Sequence, residues 1–467
     1  MPSMQTHSRA IPAGSKLVKD SDRRKLPIPV MLLLLSLVFP FLVQIGPLLL
    51  SVNRVVLLVM VVPCLFMWLS GRAGPIRTAD IALLLMCLWI TLGYLVIHGP
   101  GVAIEAGGMR FIETLGAFLV ARCFIRDAED FRAMVVLLFT IIVAMLPFAI
   151  YEALTGHNIL LDVANAIWYS GADAIKKPRW GFDRVAGVFA HPILFGVFCS
   201  GAISLVYYVL GYGVSTFKRL LKTGLVTFTA LFSLSSGPLT AILAQVLLIG
   251  WDRALARIKA RWTILTGGVL SLIVALEIAA NRSTPELFIY YFAFNRHTAS
   301  NRLRIWDYGT QSVAEHPLFG VGNDEWERAW WMSSSMDMFW LVPAVRSGLP
   351  AALLLQVAFF SLFLAITFKK GLDERTTSYR TGYLICLVGF YIAGWTVNYW
   401  KIIYVLFMFL LGSGAWILDT GGGKVPASRK QERVPGGTRT RVSGKHATSR
   451  KPVSRHNTPA LERRPKA

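Results

Sequence analysis

Cations concentrate in two stretches of this chain. Lys176, Lys177, Arg179 and Arg184 form the first; Arg282, Arg296, Arg302, Arg304, Arg328 and Arg346 form the second. Arginine carries a planar fork of N–H donors that can hold two oxygens of one phosphate, whereas lysine is a point charge. Such clusters suit an anionic ligand. Nucleophile and proton-transfer candidates are few. His191 lies seven residues beyond Arg184, about two helical turns on along the same face. Asp307 follows Arg304 by three residues, so it is either a base or a helix-local partner of that arginine. Asp337 sits among Met336, Met338, Phe339 and Trp340, where a carboxylate without a partner is costly. Arg346, nine residues later, is a partner for it or a phosphate ligand. No Walker loop, G-x-S-x-G elbow or metal-ligand cluster is present. The outward histidines His98, His157, His191, His297 and His316 have no spaced carboxylates that would make a zinc site.

These residues need elements to hold them, and composition says which. Of 467 residues 54% are hydrophobic and 16% charged, yet the net charge is +22. The apolar residues fall in blocks of about 20, the length that crosses a bilayer. The basic residues lie in tails and short loops between the blocks, which is membrane topology and not a nucleic-acid footprint. The five cysteines have no CxxC spacing and read as small apolar residues.

The expected fold is an all-α polytopic membrane protein of about twelve spans with both termini cytoplasmic. A basic N-terminal segment covers 1–27 and the multi-span domain covers 28–419. The first block, about Ile28 to Leu50, reads as one retained span. Further blocks follow at about 54–70, 80–97, 107–124, 132–151, 184–211, 263–280, 341–368, 381–398 and 401–418. The stretch 223–250 is one long span or a tight pair broken at Ser235-Ser236-Gly237-Pro238. Two spans keep Arg253, Arg257, Lys259 and Arg261 inside with the other loop cations, so the positive-inside bias favours the pair. Arg110 and Glu113, three apart, read as an i,i+3 ion pair, and Glu152 as interfacial.

Residues 420–467 are rich in Gly, Pro, Ser, Thr and cations and lack apolar periodicity. They read as a disordered cytoplasmic tail that rests on anionic membrane lipids or docks a partner. Two outward loops are long, about 151–183 and 281–340, and long loops carry function. Trp326, Trp330, Trp331 and Trp340 in the second serve an interface belt or a platform for sugar rings.

Three local patterns line up along the chain. The first is Arg184-Val-Ala-Gly-Val-Phe-Ala-His191-Pro192. The second is Ser300-Asn-Arg302-Leu-Arg304-Ile-Trp306-Asp307, followed by His316-Pro317-Leu-Phe-Gly320-Val-Gly322. The third runs from Ser335-Met-Asp337-Met-Phe-Trp340 to Arg346-Ser-Gly348-Leu-Pro350. Together they resemble the O-antigen ligase and polymerase superfamily of bacterial envelope proteins, over roughly 180 to 365. The Ser-Leu-Ser-Ser-Gly run at 233–237 fits a Ser-rich break in that family. Ligases look like His-Asn-x-x-Leu where this chain has Met336-Asp337, so the segment is more similar to the exopolysaccharide-polymerase branch.

The resemblance implies polymerisation of polyprenyl-pyrophosphate-linked oligosaccharide repeat units at the periplasmic face of the bacterial inner membrane, with no nucleotide or other cofactor needed, a metal optional and no nucleic acid, and with other polysaccharide-export proteins as further partners. Arg184, Arg302, Arg304, Arg346 and Arg179 would bind the pyrophosphate and stabilise it as it leaves. Asp337, His191 and Asp307 are the catalytic candidates, with Asp337 as the base that deprotonates the acceptor hydroxyl. Trp306 and Trp340 are the sugar-stacking candidates. Two other functions compete: ligase-type transfer to a lipid or protein acceptor, and a secondary transporter or flippase.

Overall fold

The computed structural model describes residues 25–45, 48–168, 170, 178–279, 287 and 296–420. Lys176, Lys177, Arg282 and the tail 421–467 lie outside the described residues, as do 1–24. What is described is mostly helix, with one small hairpin. Among the described residues seven helices are long and apolar enough to cross a membrane: Val52–Leu69, Thr78–His98, Ala128–Thr155, Pro192–Leu210, Arg261–Ala279, Val342–Thr367 and Ile402–Asp419. Five more helical stretches fall on the other apolar blocks: Ile28–Ser36, 100–124, Thr216–Leu231, Ser236–Ala254 and Glu374–Gly394.

The first apolar block is not one span-length helix, contrary to its reading as a single retained span. Its helix stops at Ser36, and Leu42–Ile45 pairs antiparallel with Leu48–Ser51. Prolines explain this. Pro40 disfavours helical backbone just before itself, and Pro47 cannot donate to a continuing helix. Apolar content alone does not distinguish a helix from a buried hairpin.

The 223–250 stretch does break. One helix ends at Leu231 and the next begins at Ser236. Between them Leu234 takes a left-handed backbone, φ 43°. Pro238 falls in the first turn of the new helix, where its missing N–H is not needed. Gly196 faces the break so closely that any side chain there would meet Ser233 and Pro238.

Packing gathers around a few buried helices. Ile402–Ser413 is buried along its whole length and lies against Ala117–Phe124. Thr78–His98 runs along Val342–Thr367, and Ser236–Ala254 along Glu374–Gly394. Gln245 crosslinks buried backbone, donating to the Ser200 carbonyl at 2.8 Å and accepting from the Ser204 amide at 3.2 Å. Arg261–Ala279 behaves differently. None of its residues is buried, and an apolar helix exposed on all sides belongs in lipid. Its base is held by Arg261 on Asp252 at 2.8 Å.

The helix Arg296–Glu315 and the irregular segment after it form a second apolar cluster, in which Ile305 meets Trp326, Met336, Met338, Leu341 and Val345. The expected Arg110–Glu113 pair is loose, at 3.9 Å. Glu113 accepts more closely from Arg54 Nε, at 2.8 Å. All five cysteines are buried and free.

Candidate functional site

The Ser233–Ser236 break is where the separate motifs meet. Arg184 donates from Nε to the Ser233 carbonyl at 3.3 Å and from Nη2 to Ser235 Oγ at 2.6 Å. Arg179 donates to the Leu234 carbonyl at 3.0 Å. From the far side, Arg302 Nη2 donates to Ser236 Oγ at 2.9 Å. Three arginines, two of them from separate motifs, thus converge on Ser233 to Ser236.

Each arginine is delivered by local structure. Arg179 and Phe182 bond to each other's backbone across a two-residue turn in which Trp180 and Gly181 both have positive φ. That is the turn geometry a tight hairpin favours. The segment after Arg184 is fixed by Glu152, which is buried and accepts from the amides of Ala186 and Gly187, both at 3.0 Å. Glu152 is therefore not the interfacial residue its position suggested. It closes the end of the Ala128–Thr155 helix onto the arginine loop.

Arg302 is the distinctive group. It is only 4% exposed. Among the described residues nothing accepts a hydrogen bond from its Nε or Nη1, and the Ser233 hydroxyl beside the same break is also buried without one. Buried guanidinium nitrogens without acceptors are expensive, so an anionic oxygen placed against them would be strongly held. Burial pushes Arg302 down to about 10, with Arg179 adding to the drop and Asp337 opposing it. Arg184 falls to about 10 for the same first reason, burial, and then because of Arg179. The helix Ser236–Ala254 begins at this point and has no side-chain cap, because the Ser235 hydroxyl is turned back onto the Ser233 carbonyl at 2.8 Å. Its first-turn amides add positive potential where Arg302 points.

Asp337 is the carboxylate nearest this cluster in charge coupling. Burial raises its carboxyl, while Arg302 and the Ser335 hydroxyl, 3.2 Å away, pull it down; burial wins. A carboxylate so raised is a better base near neutrality. His191 caps the helix Pro192–Ser200, its Nδ1 accepting from the Ile193 amide at 3.1 Å. Burial, then Arg184 and Arg179, push its imidazole down to about 4. With Nδ1 occupied and the ring neutral, His191 offers an Nε2–H donor rather than a base. Its ring lies 6.2 Å from that of Trp400.

Several expected members sit elsewhere. Arg304 does not share a ligand with Arg302, because two residues on a helix point about 200° apart. Its guanidinium lies over the Trp331 ring at 4.9 Å. Asp307 is exposed, about 140° around the helix from Arg302. Arg346 does not pair with Asp337. It donates to the carbonyls of Gly322 at 3.1 Å and Asp324 at 2.6 Å, tying the His316–Gly322 motif to the start of the Val342–Thr367 helix. Trp340 is a core residue. Its N–H donates to the Tyr391 carbonyl at 2.8 Å, and the rings of Tyr391, Phe359 and Phe407 surround it, so no face is left for a sugar. Trp306 is half-buried and faces Trp395 at 6.1 Å.

The sequence motifs did not point to Trp395 or Trp400, which follow the last motif by dozens of residues. The roles of Ser233, Ser235 and Ser236 were visible only as a helix break.

No curated protein matches the chain. The family model described as O-antigen ligase matches residues 223–355, a stretch that begins before the serine break and contains Arg302, Asp337 and Arg346 but not Arg179, Arg184 or His191. That stretch, which holds the serine break and one of the three arginines on it, is similar to the O-antigen ligase family.

Proposed function

We propose that this protein polymerises polyprenyl-pyrophosphate-linked oligosaccharide repeat units at the periplasmic face of the bacterial inner membrane. The family match supports glycan transfer at a membrane. The observation that carries the finer reading is Arg302, buried, short of acceptors, and coupled to both a second arginine and a carboxylate. The seven long apolar helices support a polytopic membrane protein, and this reading keeps both termini cytoplasmic and puts the serine break at the outer ends of its two helices.

In this reading the donor pyrophosphate lies between Arg302, Arg184 and the uncapped start of the Ser236 helix. As the sugar–phosphate bond breaks, the electron pair stays on the phosphate oxygen. Guanidinium and amide donors already in place stabilise that charge more in the transition state than before it. Asp337 takes the proton of the acceptor hydroxyl that attacks the sugar carbon. His191 donates through Nε2 and orients a substrate oxygen. The donor is already activated, so the arrangement needs positioning and charge, not a nucleotide.

Ligase-type transfer is the alternative, and the described match gives it a specific basis. Purified protein in nanodiscs, supplied with lipid-linked repeat units alone, separates the two. Chain growth supports polymerisation. Transfer only when a lipid or protein acceptor is added supports the ligase. Absence of both removes glycan transfer.

A further inference from the structure

The segment between the last two long helices, Trp395 to Lys401, touches neighbours of the residues that build the arginine site, although it lies outside the matched stretch. Trp395 faces Trp306 on the Arg302 helix at 6.1 Å. Thr396 and Val397 press against Gly237, next to the serine that holds Arg302; a side chain at Gly237 would collide with Val397. The Val397 carbonyl accepts from the Phe339 amide at 3.1 Å, two residues from Asp337. Trp400 meets the His191 ring.

Lys401 then stands exposed at the start of the next helix with φ 54° and ψ −120°. Glycine adopts that backbone freely and lysine does not. Lys401 directly follows Trp400, which meets His191, and strain at a non-glycine residue in such a segment signals that the side chain itself is needed. The Trp306–Trp395 pair also lies at a seam: Trp306 packs on the outer apolar cluster and Trp395 on the main core. Both rings are half-buried, so part of each remains accessible. Ligand clefts form at such seams, and an indole face suits the apolar face of a sugar ring.

We infer that Trp395 to Lys401 is the acceptor-saccharide wall of the site. One pyranose ring lies against Trp395 and Trp306, and the Lys401 ammonium donates hydrogen bonds to its hydroxyls. This rests on the glycan-transfer reading, and it adds the element that selects the acceptor. The placement brings a bound sugar between the Asp337 segment and the phosphate-binding arginines, where its hydroxyl must be for attack.

Two probes test it against the full-length protein in nanodiscs. One is the oligosaccharide released by mild acid from lipid-linked repeat units, collected from cells lacking this protein. The other is polyprenyl pyrophosphate without sugar. Affinities are measured by titration calorimetry for wild type, Trp395→Ala, Trp395→Phe and Lys401→Gly. Trp395→Ala and Lys401→Gly should each weaken oligosaccharide binding about tenfold and leave polyprenyl pyrophosphate binding unchanged. Trp395→Phe should recover most of the loss. Lys401→Gly suits the local backbone, so its melting temperature should hold or rise. Unchanged oligosaccharide affinity in both variants overturns the inference, and so does equal weakening of both probes. Wild-type protein that binds polyprenyl pyrophosphate but not the oligosaccharide overturns it while leaving the transfer reading intact. Wild-type protein that binds neither removes the transfer reading itself.

Discussion

Arg302 and Ser236 are 66 residues apart in sequence and 2.9 Å apart in space, with the guanidinium donating to the hydroxyl. The bond uses one nitrogen and leaves two aimed past the serine. It fixes the fork against the start of a helix whose amides share its polarity. Position and charge are thereby set before any ligand arrives, which is the condition for strong electrostatic stabilisation of a leaving group.

Arg302→Ala should therefore lower kcat/KM by about 10²-fold or more, the scale seen when one preorganised donor is removed. Arg302→Lys should recover little, because the ammonium cannot bridge Ser236 and a phosphate as a fork does. Initial rates of polymer formation with lipid-linked repeat units provide the measurement. Wild-type rates in the alanine variant would end the assignment.

Arg304 should behave differently from its neighbour two residues away. Its contact is the Trp331 ring, a cation–π pair that contributes about 0.5–1 kcal/mol near a surface. Arg304→Ala should leave kcat/KM within about threefold and lower the melting temperature slightly. A loss matching that of Arg302→Ala would put both arginines on the ligand.

The pH profile reports on Asp337. A base works only when ionised, so activity should rise with pH through its ionisation. Burial raises that ionisation above the ordinary aspartate range. The acid limb of kcat/KM should be displaced upward accordingly, and Asp337→Asn should remove the limb while lowering the rate about 10²–10⁴-fold. A structural role predicts less protein with normal turnover per molecule and an unchanged limb.

Glu152 offers a stability test away from the chemistry. Glu152→Ala leaves the Ala186 and Gly187 amides buried without acceptors, at about 1.5–3 kcal/mol for the charged bonds. The apparent melting temperature in detergent should fall, and Glu152→Gln, which keeps one acceptor oxygen, should fall less. No change in either variant would show that the loop is held by other contacts.

The membrane class was legible because blocks of apolar residues have no other stable home. The serine break was legible for a similar reason, since serine, glycine and proline in succession interrupt a helix. The arginine site was half legible. Charge on the disfavoured side flagged Arg179, Arg184 and Arg302, but the same rule flagged Arg304 and Arg346, which the fold spends on a ring and on two carbonyls. Sequence spacing does not say which face of a helix is covered. Trp340 misled for the opposite reason. An aromatic run beside a carboxylate looks like a sugar platform until the partner rings, dozens of residues later, close over it. Glu152 was misplaced because its acceptors' partners are backbone amides, which carry no residue signature.

The position of the Trp395–Lys401 wall has a consequence in time. A ribosome delivers the arginines and the serine break first, and this wall emerges roughly 90 residues after Arg302, about 5–20 s later at ordinary elongation rates. During that interval the membrane holds a nascent chain with its cations in place and its acceptor wall missing. Completion of the site is thus tied to insertion of the last helix pair. A chain released early would carry the phosphate-binding arginines without the geometry to use them, so premature termination yields silence rather than misdirected transfer.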